Sequence, residues 1–92
     1  MLKDYEDEVL IRMFDKGIIG MDYTSVERIA SKIKWSDITS EYRVKKSFQS
    51  VIRELVSKLV ITDHGKSGKV ASLTKLGVDY VHGLKKTRET TV

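Results

Sequence analysis

The sequence predicts a mainly helical domain carrying one small β-hairpin, and three observations lead there. Apolar residues recur at helical spacing through most of the chain, that spacing gives way to β-prone runs around a glycine-containing connector after residue 59, and it returns after Thr74. Ninety-two residues suffice for one small core, so residues 1–84 are expected to form a single domain and residues 85–92 a polar, frayed tail. With 40% hydrophobic and 33% charged residues the chain reads as soluble and globular. No apolar run approaches the roughly 18–20 residues of a membrane span, and acids stand where a secretory leader would carry bases. The absence of cysteine excludes disulfides and thiolate metal sites and fits a cytoplasmic location.

The first helix is expected from Asp4 to about Lys16, stopping at Gly17. Asp4, Glu6, Asp7 and Glu8 crowd its first turns, where the helix dipole favours negative charge. Leu10, Met13 and Phe14 form its core face, while Leu2, Tyr5 and Val9 widen the apolar arc beyond one stripe, with Ile11 on the other flank. So wide an arc on a terminal helix predicts a second copy of the chain as partner. Ile18-Ile19-Gly20 reads as a short β-prone link. Thr24-Ser25-Val26-Glu27 has the form of a capping box, with Thr24 as cap, opening a short helix through Lys32 or Ile33 that buries Val26, Ile29, Ala30 and Ile33. Trp35 is expected as a plug between helices and Ser36–Thr39 as a polar link.

The stretch from Ser40 to Leu59 reads as one continuous central helix, capped by Thr39 or Ser40. Val44, Phe48, Val51, Ile52, Leu55 and Leu59 fall on one stripe, opposite Tyr42, Lys46, Gln49, Ser50 and Arg53, with Arg43 and Lys45 on the flanks. Arginine and lysine pair with guanine edges, glutamine pairs with adenine, and both cations neutralise phosphate. The same pattern also describes the solvated face of an ordinary amphipathic helix. Charge segregation weighs for a polyanion: residues 1–41 hold 6 Lys/Arg against 9 Asp/Glu, whereas residues 42–92 hold 11 against 4. Val60–Asp63 and Val70–Leu73 then form the strands of the hairpin, whose connector carries His64, Lys66, Ser67 and Lys69. Thr74 caps a last helix with Leu76, Tyr80, Val81 and Leu84 on its apolar side, weakened by Gly77 and Gly83.

Helix, short strand, helix, turn, helix, hairpin, helix is the order of the winged helix-turn-helix fold, and the residues resemble that family as well. RELVSKLVI (Arg53 to Ile61) is similar to its junction between recognition helix and wing, and LTKLG (Leu73 to Gly77) resembles the segment by which PadR- and MarR-like regulators enter the last helix. The resemblance covers roughly residues 5–84. It implies a recognition helix in the major groove and a hairpin along the backbone or minor groove. Tyr42, Arg43, Lys45, Lys46, Gln49, Ser50 and Arg53 become the recognition-helix contacts, and His64, Lys66, Ser67 and Lys69 the wing contacts. Thr24 and Ser25 mark a helix start whose N–H groups can meet a phosphate. The chain stops soon after its last helix, which leaves effector sensing out of the expectation. A dimer would then use the first and last helices, through Leu2, Tyr5, Val9, Tyr80 and Leu84.

Catalysis is not expected. The two histidines lack a third metal ligand, no Ser/His/Asp set is suggested, and Gly65–Lys69 lacks the spacing of a phosphate loop. No cofactor or metal is implied. The expected function is sequence-specific binding of double-stranded DNA by a small homodimeric transcriptional regulator. The alternatives are an architectural protein, a DNA-spreading centromere adaptor of an archaeal plasmid partition system (an origin suggested by Ile-, Lys-, Glu- and Val-rich usage), and a protein-interaction winged helix that does not bind DNA.

Overall fold

The computed structural model describes residues 2–65 and 69–90, the side chains of the last two excepted. In chain order the elements are α1 (Asp4–Asp15), β1 (Thr24–Ser25), α2 (Val26–Lys32), α3 (Trp35–Tyr42), α4 (Phe48–Ser57), β2 (Ile61–His64), β3 (Val70–Leu73) and α5 (Lys75–Thr90). The fold is mainly helical with a small antiparallel sheet, as the periodicity predicts. Among the described residues no helix is long and apolar enough to cross a membrane.

α1 starts as its acids dictate: the buried Glu6 carboxylate accepts the Lys3 N–H at 2.9 Å, satisfying a donor the helix leaves open. It ends at Gly17, whose φ of 72° closes a turn in which Gly17 and Ile18 N–H donate to the Phe14 and Met13 carbonyls. Leu10 and Met13 are buried as expected, but so are Val9 and Ile11. α3 and α5 both pack on α1 and cover much of the wide apolar arc, leaving Leu2 and Tyr5 half-buried. Val9 has no exposed surface and is removed from any interface between copies.

The sheet order is β1-β3-β2, with Ile61 opposite Leu73, His64 opposite Val70 and Thr24 opposite Ala71. Hairpin strands lie within one residue of their expected places. The third strand lies at Thr24–Ser25, four residues beyond the link expected at Ile18–Gly20, which makes only an isolated parallel bridge from Ile19 to Leu73. Consequently the cap of α2 is Ser25, not Thr24: its hydroxyl accepts from the Arg28 N–H at 3.2 Å.

The largest correction concerns the central helix. Ser36–Thr39 is not a link but the body of α3, and residues 40–59 are not one helix. The chain leaves α3 at Arg43, in the left-handed region with φ 54°, and re-enters helix at Phe48. Ser47 caps α4, accepting from the Ser50 N–H at 3.2 Å. A serine hydroxyl that competes for helix N–H groups is the local cause of the break, since it favours an extended backbone at its own position. Trp35 does plug the interior, its ring 5.0 Å from that of Phe48.

α4 buries Phe48, Val51, Ile52 and Leu55, each worth about 1.5–3 kcal/mol by transfer from water. Val44, predicted on the same stripe, is half-buried outside the helix, and Leu59 is exposed beyond its end. Polar ties fix the helix ends around this core. Lys58 Nζ reaches both oxygens of Glu6, at 3.2 and 3.3 Å, and Arg12 Nη1 donates to the Ile33 carbonyl at the end of α2. α5 continues through Thr90, so the segment from Lys85 is helical where a frayed tail was expected.

Candidate nucleic-acid interface

With its apolar side turned inward, α4 presents Gln49, Ser50 and Arg53 outward, Gln49 half-buried and the other two exposed. A cleft beside them is lined by Ser25, Val26, Glu27, Gln49, Arg53 and Lys69. Three elements therefore meet here: the start of α2, the middle of α4 and the connector end of the hairpin. The Val26 N–H donates to the Lys69 carbonyl at 2.7 Å, fixing the connector end of the hairpin against α2. Neither Arg53 nor Gln49 has a side-chain hydrogen bond or ion pair within the described residues. Their donors thus face solvent without an internal competitor.

The break before α4 changes the rest of the expected set. Arg43 and Lys45 are exposed in the link that precedes the helix rather than on its flanks. Tyr42 ends α3, half-buried against the core, where burial and the nearby Glu8 carboxylate push its hydroxyl above the usual tyrosine range. It belongs to α3 and not to the helix that carries Arg53. Lys46 is bound to Glu54, a contact that raises the lysine pKa and lowers that of the carboxyl. The Ser50 hydroxyl is bonded to that of Ser47, 3.0 Å away, as part of the cap.

On the hairpin, His64 is exposed and lies against Tyr23, ring centroids 3.9 Å apart and planes tilted by 57°, and Lys69 is exposed in the cleft. Lys66 and Ser67 lie outside the described residues. At the start of α2 two of the first three N–H groups are already used, that of Val26 by Lys69 and that of Arg28 by Ser25. Thr24 is committed to the sheet, its hydroxyl 3.5 Å from the Asp22 carbonyl. The anion site expected at Thr24 and Ser25 is thereby largely filled by the protein itself.

The cleft also holds a residue that sequence reasoning missed. Glu27 brings a negative charge to its rim, and nothing in the sequence placed residue 27 beside residue 53. Nor did spacing link Lys46 to Glu54, since eight residues correspond to no side-by-side pair on a continuous helix. Of the expected dimer set, Leu2, Tyr5, Tyr80 and Leu84 are half-buried against the core, and the Tyr80 hydroxyl donates to Asp7 at 2.7 Å. The sequence matches no family model, and neither a curated protein nor a solved structure matches it.

Proposed function

We propose that the chain is a winged helix-turn-helix domain that binds double-stranded DNA in a sequence-specific manner, as a small homodimeric transcriptional regulator. In this reading α4 enters the major groove and the hairpin lies beside it. The observation that carries it is the convergence of Arg53, Gln49 and Lys69 on one cleft, without partners for Arg53 and Gln49 among the described residues. An arginine and a glutamine one turn apart on an exposed helix match the bidentate patterns of guanine and adenine, and a lysine in the hairpin connector suits a phosphate. Arg43 and Lys45, in the link, are placed for backbone phosphates rather than base edges. Glu27 and Glu54 oppose indiscriminate attachment to phosphate, so the balance of affinity rests on a few directed contacts rather than on bulk charge.

Anisotropy titration of the purified chain against labelled random-sequence duplexes, followed by selection from a random pool, tests the reading. Binding is expected at low salt with log K falling linearly against log salt, and the selection should converge on a motif. A chain that leaves duplex DNA unbound in dilute buffer would end the proposal. Binding without a motif would leave an architectural or spreading protein in its place.

A further inference from the structure

The exposed large apolar side chains among the described residues are Met21, Leu59 and Leu76, at 86%, 67% and 53% of their full surface. Two of the three belong to one place. The Thr74 hydroxyl donates to the Leu59 carbonyl at 2.6 Å and accepts from the Gly77 N–H at 3.0 Å, joining the exit of α4 to the first turn of α5. A groove opens along this seam, lined by Leu2, Lys58, Val60, Leu76, Asp79 and Tyr80; Leu59 stands immediately before Val60 in the chain but does not itself line it.

Leu59 is unfavourable there on two counts. It takes the left-handed conformation, φ 67°, at the same position past a helix end that Gly17 occupies after α1. The turns are alike: Leu59 and Val60 N–H donate to the Val56 and Leu55 carbonyls, as Gly17 and Ile18 do to Phe14 and Met13. Glycine suits such a turn, and an exposed leucine gains nothing from it in the isolated chain. A contact outside the chain would give the leucine its use.

Charge indicates what makes that contact. Positions 75, 76, 79 and 80 share one face of α5. Lys75 and Asp79, one turn apart, are exposed and have no ion-pair partner among the described residues. One cation and one anion beside an apolar strip form a self-complementary surface under a two-fold axis. Two antiparallel copies of α5 would set each Lys75 against Asp79 of the other copy and enclose Leu76 between them, with Leu59, whose carbonyl is tied to Thr74, beside the contact. We propose that this groove, which includes Leu2 and Tyr80 of the dimer set expected from the sequence, is where two copies of the chain associate, through antiparallel first turns of α5. The inference rests on the dimeric part of the functional reading and is independent of its DNA-binding part.

Sedimentation velocity on the full chain without DNA tests it. The native chain sediments as a dimer at micromolar concentrations, and Lys75→Asp or Asp79→Lys each weakens association about tenfold or more by setting like charges together. Mixing the two variants restores a dimer, because both cross-pairs are then opposite in sign. Leu59→Gly raises the melting temperature of the dilute chain while loosening the dimer, a combination that a merely structural leucine would not give. A native chain monomeric throughout that range, charge variants that dimerise like the native chain, or a mixture that stays monomeric would each overturn the proposal. A monomer that still binds duplex DNA sinks the interface and spares the DNA reading, and a dimer that ignores DNA does the reverse.

Discussion

The cleft at Arg53 and the groove at Leu76 are both reached from α4, one beside its middle and one beyond its end, yet they are built in opposite ways. The cleft is bordered by long side chains, Gln49, Arg53, Glu27 and Lys69, that have rotamer freedom and mixed charge. Interactions made there are directional, and ions screen them over about 8–10 Å. The groove is apolar and stands on fixed backbone: Val60 receives α5 at close range, Thr74 stitches the seam, and Lys58 is tied to the buried Glu6. Hydrophobic contact made there depends little on salt. A polar surface that adjusts and an apolar surface that does not are suited to different partners, an anion read by a few contacts in one case and a shape-matched protein face in the other.

Breaking the groove's floor should have the largest effect. A Cβ at Gly77 would lie 2.2 Å from the Val60 carbonyl oxygen and 3.1 Å from its carbon, both backbone atoms with little room to move. Helix propensity alone predicts that Gly77→Ala stabilises α5 by about 1 kcal/mol. The steric conflict reverses that sign and should cost about 1–3 kcal/mol by urea denaturation. Gly83→Ala is the control in the same helix. Nothing lies within 4 Å of its added carbon, so the propensity gain of about 1 kcal/mol should appear undiminished. Equal effects at the two positions would remove the close approach that defines the groove.

The polar side is sharpened by separating base contact from phosphate contact. Arg53→Ala should lower affinity for the selected site by about 1–3 kcal/mol while leaving random duplex little changed. Lys69→Ala should weaken all sequences alike and reduce the salt slope by about one ion. Anisotropy titrations at several salt concentrations distinguish the two. If both variants behave identically, the cleft is a patch of charge and not a reading surface.

Much of this arrangement was legible before the structure, for a physical reason. α1, the hairpin strands and the inward face of α4 are set by local periodicity and by caps the chain writes plainly: Gly17, Thr74, and the run Phe48, Val51, Ile52, Leu55. α3 was not legible. Its apolar residues are only Trp35, Ile38 and Tyr42, set among polar ones that read as a loop. Its two ends turn through left-handed Lys34 and Arg43, where no glycine or asparagine marks the break. β1 escaped because two residues become a strand only by pairing with β3, forty-odd positions away. The same break carried Lys46 over to Glu54 and took Tyr42 away from Arg53, so the candidate site contracted from seven helix positions to Gln49, Ser50 and Arg53 with Lys69 beside them.

The smallest expected effect tests the groove through the hydrogen bond from its lining residue Tyr80 to Asp7. Burial and the neighbouring Asp7 carboxylate push the Tyr80 hydroxyl up to about 12, and desolvation outweighs the Tyr80 hydrogen bond at Asp7, leaving that carboxyl above its usual range. Tyr80→Phe should cost about 1 kcal/mol at neutral pH, the net worth of a partly buried hydrogen bond. The alkaline limb carries the sign. A folded-state pKa raised above the unfolded value of about 10 means the native chain holds its proton longer than the unfolded one, so this contribution is complete below pH 10 and is lost as pH rises towards 12. Phenylalanine has no such proton. The stability difference between native chain and variant should therefore shrink steadily across pH 10–12 in melts followed by circular dichroism, with tyrosinate absorbance marking the ionisation. Parallel curves through that window would mean that Tyr80 stands free in solvent, and the groove would lose the wall that Tyr80 gives it.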